Sequence, residues 1–159
     1  MPALLMRPCL PALLIGLAST ACDHLPCEFS AVLPDLAGPG ATDCGAVALG
    51  ADATAVDACV VDAFVARRPF FAVYALQGTD SQVSSALASD GRVVWTLMSD
   101  SDVGGGAGLG ASIDRRDCPS PTVAPGEAGH DVVTCAFSDC VCHTRLCGPV
   151  ALGGNDCCG

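Results

Sequence analysis

The chain contains no lysine. Its seven basic residues are all arginine and face 17 acidic ones, for a formal net charge of −10. Nucleic acid and anionic lipid surfaces would repel such a chain, so both are poor partners. Aromatic residues are scarce, with one Trp and one Tyr. Trp95 and Tyr74 both fall in expected strands, where they read as core or cross-strand pairs rather than ligand stackers. No G-x-S-x-G elbow is present, which removes the usual signature of a serine hydrolase. C-x-x-C-H is missing as well, which argues against haem attachment, and so is the C-x-x-C knuckle of many zinc sites.

A long hydrophobic run is also lacking. The longest candidate, Cys9 to Ala18, has ten residues. A membrane helix needs about 20. What the N-terminus does have is the three-part layout of an export signal. Arg7 makes the start positive, the apolar run follows, and Ala18, Ser19, Thr20 and Ala21 form a small-residue cleavage region. Pro8 and Pro11 and the lack of a polar face argue against a buried helix. Residues 1–21 are therefore expected to be a signal peptide.

Cys22 follows at once. Ser19-x-Ala21 would suit an ordinary signal peptidase and free secretion. The same residues resemble a bacterial lipobox, with Ser19 where Leu is preferred, and Cys22 would then carry lipid. Parity favours the lipobox. There are 12 cysteines. Cys9 leaves with the signal, and lipid on Cys22 leaves ten: Cys27, Cys44, Cys59, Cys118, Cys135, Cys140, Cys142, Cys147, Cys157 and Cys158. An even set is what an oxidising compartment prefers. The expected partner is thus the membrane, through an N-terminal lipid on the periplasmic or cell-surface side; the protein partner is not specified.

The large apolar residues concentrate between Val47 and Met98, where a core can form. Residues 22–43 read as anchor and spacer, broken by Pro26, Pro34, Gly38, Pro39 and Gly40. Residues 44–137 read as the folded domain. Within it, Val56, Cys59, Val60, Ala63 and Phe64 recur at i, i+3, i+4, i+7 and i+8, which predicts a helix over 52–68. Asp52 is the expected N-cap, and Pro69 stops the helix. FFAVYAL (70–76), 82–89 and RVVWTLM (92–98) read as strands, the last two joined by an Asp90-Gly91 hairpin. Residues 111–118 and 131–137 are further strand candidates, with PSPTVAPGEAGH between them as a loop. The expected fold is α+β: one helix on an antiparallel meander of three to five strands, with a cysteine-rich tail over 138–159.

Disulfides are the expected use of the cysteines. Cys44 before the helix suits Cys59 on its inner face, and Cys118 suits Cys135 across neighbouring strands. Cys27 is left to pair with tail cysteines. The alternative is metal binding by CVCH and its neighbour, that is Cys140, Cys142, His143 and Cys147, since thiolates and imidazole suit zinc or copper(I). GAGLGA (106–111) has no helix after it and reads as a loop, and Asp100-x-Asp102 lacks the rest of a calcium set. No cofactor and no catalytic activity are expected. A hydrolase would need a pocket that gathers His130 with acids.

The STAC cleavage region, the absence of lysine, and DCGAVALGADATAVDACVVDAFVARRPF ahead of a meander together resemble the small cysteine-rich exported lipoproteins of myxobacterial type. That resemblance implies an envelope location and no particular activity. The helix-then-meander order is similar to cystatin-like inhibitor folds, which is an analogy of fold alone. The expected function is an exported, lipid-anchored envelope protein with a binding or structural role.

Overall fold

FFAVYAL folds as the strand β2 (Phe70–Leu76). Its residues alternate across the sheet, as a strand period of two requires. Phe70, Ala72 and Tyr74 enter one apolar cluster, and Phe71 and Val73 enter the other. Both faces are thus buried, which explains a continuous apolar run. The computed structural model describes residues 27–101, 111–136 and 143–147.

Three strands continue antiparallel from β2: β3 (Val83–Ser89), β4 (Val94–Asp100) and β5 (Ser112–Cys118). The β3–β4 turn is longer than two residues, because Ser89 pairs with Val94. Asp90 makes the difference. Its Oδ1 accepts the backbone N–H groups of Arg92 and Val93, both at 2.8 Å, which holds them out of the ladder. These bonds, Val93's first, also lower the Asp90 pKa. Gly91 has φ 86°, and a Cβ there would lie 2.6 Å from the Arg67 carbonyl oxygen. Only glycine fits that turn.

The sheet has six strands rather than three to five, and one of its pairs is parallel. A strand β1 (Thr42–Val47) runs parallel to β2, with the helix α2 (Thr54–Val65) as the crossover. β1 reads TDCGAV, which has no branched or aromatic run, so its strand comes from pairing and not from propensity. A short hairpin, β6 (Pro121–Pro125) with β7 (Asp131–Cys135), forms a separate two-stranded sheet. The expected fifth meander strand therefore lies in this hairpin, and part of the expected loop is its other strand. Prolines at both ends of β6 fit an edge position, where a missing N–H breaks no ladder. The last strand, β8 (His143–Cys147), comes from the cysteine-rich tail and pairs with β5. Arg145 fixes it by donating through Nε and Nη2 to the two oxygens of Asp114, at 2.9 and 3.0 Å. The order is β1-β2-β3-β4-β5-β8.

A second helix was not expected. α1 (Phe29–Ala37) occupies the stretch read as spacer, with Pro34 inside it. Proline removes the bond to the carbonyl of Ser30 and costs about 3 kcal/mol in a helix interior. Packing offsets that cost. Phe29, Val32, Leu33 and Leu36 form a helical stripe against Ala86, Ala88, Leu97 and Ile113 of the sheet. Leu33 and Ala37 are each 1% exposed. α2 and the β6–β7 hairpin cover the opposite face, where Val60, Ala63, Phe70, Ala72 and Val133 meet. The result is three layers, with the sheet in the middle.

α2 starts two residues later than its expected N-cap. Asp52 accepts the Thr54 N–H at 2.9 Å and the Thr54 hydroxyl at 2.6 Å, one position ahead of the cap residue Ala53. At the other end Arg67 has φ 52°. The N–H of Arg67 donates to Phe64 and that of Arg68 to Ala63, which closes the helix before Pro69.

Candidate functional site

The buried stripe of α2 carries one acid. Asp57 lies three residues before Val60, on the same face, and is 7% exposed. A buried carboxylate needs hydrogen-bond partners. Tyr74, on the facing side of β2, donates its hydroxyl to Oδ1 at 2.7 Å. His130 brings Nε2 within 2.7 Å of Oδ2. It stands in the β6–β7 turn, which Gly129 shapes with φ 81° and which a Gly126 N–H bond to the His130 carbonyl closes at 2.8 Å. One carboxylate thus joins the helix, the sheet and the hairpin. Burial, the bond to Asp57 and the Asp57 charge, in that order, raise the Tyr74 pKa well above its ordinary value. Its proton stays in place as the donor.

A groove opens beside this junction, between the hairpin and the sheet. Its cavity volume is about 500 Å3. Asp57 and Tyr74 stand at one end, Leu76, Ser85 and Thr96 form the sheet wall, and Val132 faces them from β7. A smaller recess of about 300 Å3 shares Leu76, Ser85 and Thr96 and extends to Met98 and Arg116. Leu76 and Met98 are 38% and 41% exposed, so the wall is open to solvent at this end. The lining is apolar with a few hydroxyls, as in small-molecule sites.

Three disulfides hold the layers. Cys44–Cys59 ties β1 to α2, Cys118–Cys135 ties the end of β5 to β7, and Cys27–Cys147 ties the entry to α1 onto β8. Cys118–Cys135 fixes one wall of the groove, since Cys135 lines it. Cys22, Cys140, Cys142, Cys157 and Cys158 lie outside the described residues, as do residues 1–21 and most of the GAGLGA loop.

The alternative metal set needs a correction. The Cys147 sulfur is bonded to Cys27, so it cannot serve as a thiolate ligand. His143 begins β8 opposite Arg116, and Cys140 and Cys142 are outside the described residues. Among the described residues, no three His, Cys, Asp or Glu side chains gather as a metal site would require.

His130 does meet an acid, though not its neighbour Asp131. The pairing with Asp57 spans 73 positions of sequence, which no local reading reveals. The sequence did hold a signal for Asp57: a lone charge on an otherwise apolar helical stripe. A hydrolytic centre would also need a nucleophile within about 3 Å of the imidazole. Among the described residues, the side-chain hydrogen-bond partner of His130 is Asp57. Trp95 sits half-buried on the α1 side, with the Arg115 guanidinium 5.8 Å from its ring centre, a cation–π contact away from the groove. Compared with known proteins, the chain matches no family model, no curated protein and no solved structure.

Proposed function

We propose that this is an exported, lipid-anchored binding domain of the cell envelope, which holds a small, largely apolar organic molecule in the groove beside Tyr74. The observation that carries the reading is the groove itself. Its volume of about 500 Å3 and its mix of apolar wall and hydroxyls suit a ligand with a few hydrogen-bonding groups. The disulfides support export, since such bonds persist in oxidising compartments. Parity supports the anchor. The six cysteines among the described residues are all bonded, Cys9 would leave with the signal, and the tail holds four more. Cys22 is then the odd one, free to take lipid.

The anchor would be short. Cys27 is bonded to Cys147, so only residues 23–26 separate a lipidated Cys22 from the folded domain. At about 3.5 Å per residue, five links reach about 18 Å. The domain would rest close to the bilayer, with the Cys147 end of the sheet toward it.

The test is the intact mass of the mature protein from its host, non-reduced, with and without thiol alkylation. The expected species begins at Cys22, carries acyl chains, lacks ten hydrogens and takes up no alkylating agent. An unlipidated chain with several reactive thiols would refute both anchor and compartment. Native mass spectra should also show a small bound molecule that a Thr96→Trp change displaces. No adduct in either protein would leave the groove without its role.

A further inference from the structure

A second pocket, at one end of the sheet, gathers arginine. Its volume is about 560 Å3, and Arg67, Arg68 and Arg92 all line it. The chain has only seven basic residues against 17 acidic ones. Three of the seven meet here, and no carboxylate is among the lining residues. Arg115 and Arg145 each have an acidic partner. Among the described residues, Arg67, Arg68 and Arg92 have none within ion-pair distance. Asp90, the acid nearest to Arg92 in sequence, feels the Arg92 charge but turns its Oδ1 to the N–H groups of Arg92 and Val93. The C-terminal end of α2 attracts cations, and its dipole accounts for part of the placement of Arg67 and Arg68. It does not account for Arg92, which comes from the β3–β4 turn.

We propose that this pocket binds a phosphorylated organic molecule. Three guanidinium groups match a doubly or triply charged phosphoryl or diphosphoryl group, which they can grip with paired N–H donors. A single carboxylate would leave two positive charges unanswered. Phe64, Val65, Val94 and Pro121 supply an apolar wall for the rest of the ligand, and Val65 stands 69% exposed on it.

The position of the pocket selects the source. Ser89, Val94 and Cys118 stand in one row of the sheet, at the pocket end. Ile113 pairs with Cys147 at the other end, where Cys27 is bonded. Five residues along the strands, about 17 Å, separate the two ends. Granted the lipid anchor proposed above, the pocket faces away from the anchoring bilayer. Its ligand is then a soluble molecule and not a headgroup of that membrane.

Calorimetry with inorganic pyrophosphate on the oxidised protein tests this, and it works whether or not Cys22 carries lipid. Binding should weaken at least about tenfold in Arg68→Gln/Arg92→Gln, as the loss of charge-assisted bonds predicts, and fall with added salt. Arg115→Gln, which lines neither this pocket nor the groove and faces Trp95 on the α1 side, should bind as before. The side chains of Arg68 and Arg92 are exposed, so the double variant should keep the parent's circular dichroism. No heat at about 1 mM ligand in low salt, or equal binding by all variants, would overturn the proposal. So would arginine-dependent capture on phosphatidylglycerol vesicles without pyrophosphate binding, because it would place the pocket against a bilayer.

Discussion

Asp57 serves two partners with one carboxylate, and its removal leaves both of these half-buried groups without it. Asp57→Ala should cost about 2–4 kcal/mol in urea unfolding, since it leaves the Tyr74 hydroxyl and the His130 ring without an acceptor. Tyr74→Phe should cost less, about 1.5–3 kcal/mol, the usual worth of a bond to a charged group. The raised Tyr74 pKa adds a pH signature. The folded state holds the phenolic proton more tightly than the unfolded chain does. That contribution is complete below the ordinary tyrosine pKa of about 10 and drains away as pH rises above it. Stability should therefore fall on the alkaline side, and Tyr74→Phe should flatten that slope. An unchanged slope in the Phe variant would mean that another group titrates there.

The elements differ in how openly the sequence declares them. β2 and α2 carry strong local patterns and form where those patterns lie. α1 carries a pattern just as regular, since Phe29, Val32, Leu33, Leu36 and Ala37 stand at i, i+3, i+4, i+7 and i+8. Pro34 and the neighbouring glycines hide it, because a proline inside a helix normally ends it. The helix survives because Leu33 is driven into the sheet. Leu33→Ala should destabilise the protein by about 2–5 kcal/mol. The same truncation at Leu49, which is 57% exposed, should stay within about 0.5 kcal/mol. If the two variants unfolded alike, α1 would contribute no core. β1 and β8 have no comparable local signal. TDCGAV and HTRLC become strands only because β2 and β5 offer them unpaired edges.

At the scale of the molecule, each disulfide among the described residues fastens a covering element to the sheet or its edge, and the loops they close differ in length. Cys118–Cys135 closes 17 positions and Cys27–Cys147 closes 120. Loop entropy then predicts a loss of about 3 kcal/mol for the double serine variant of the first pair, and nearer 5 kcal/mol for the second. Equal losses by urea unfolding would show that strain or native contacts, and not the unfolded chain, govern the effect. The first variant should also free the hairpin, exposing the segment between Pro125 and Asp131 to protease.

Composition alone settled the acidity, the absence of lysine, the presence of many cysteines and the absence of a run long enough to span a membrane. Local periodicity was enough for α2 and the β2–β4 meander, because those residues favour their elements without outside help. The groove, the Asp57 junction and the arginine pocket belong to the tertiary structure. Asp57 and His130 are 73 positions apart, and Arg92 lies 24 or more from Arg67 and Arg68. Only sheet pairing and disulfide closure bring such positions together, and no pattern of short range records a contact that long.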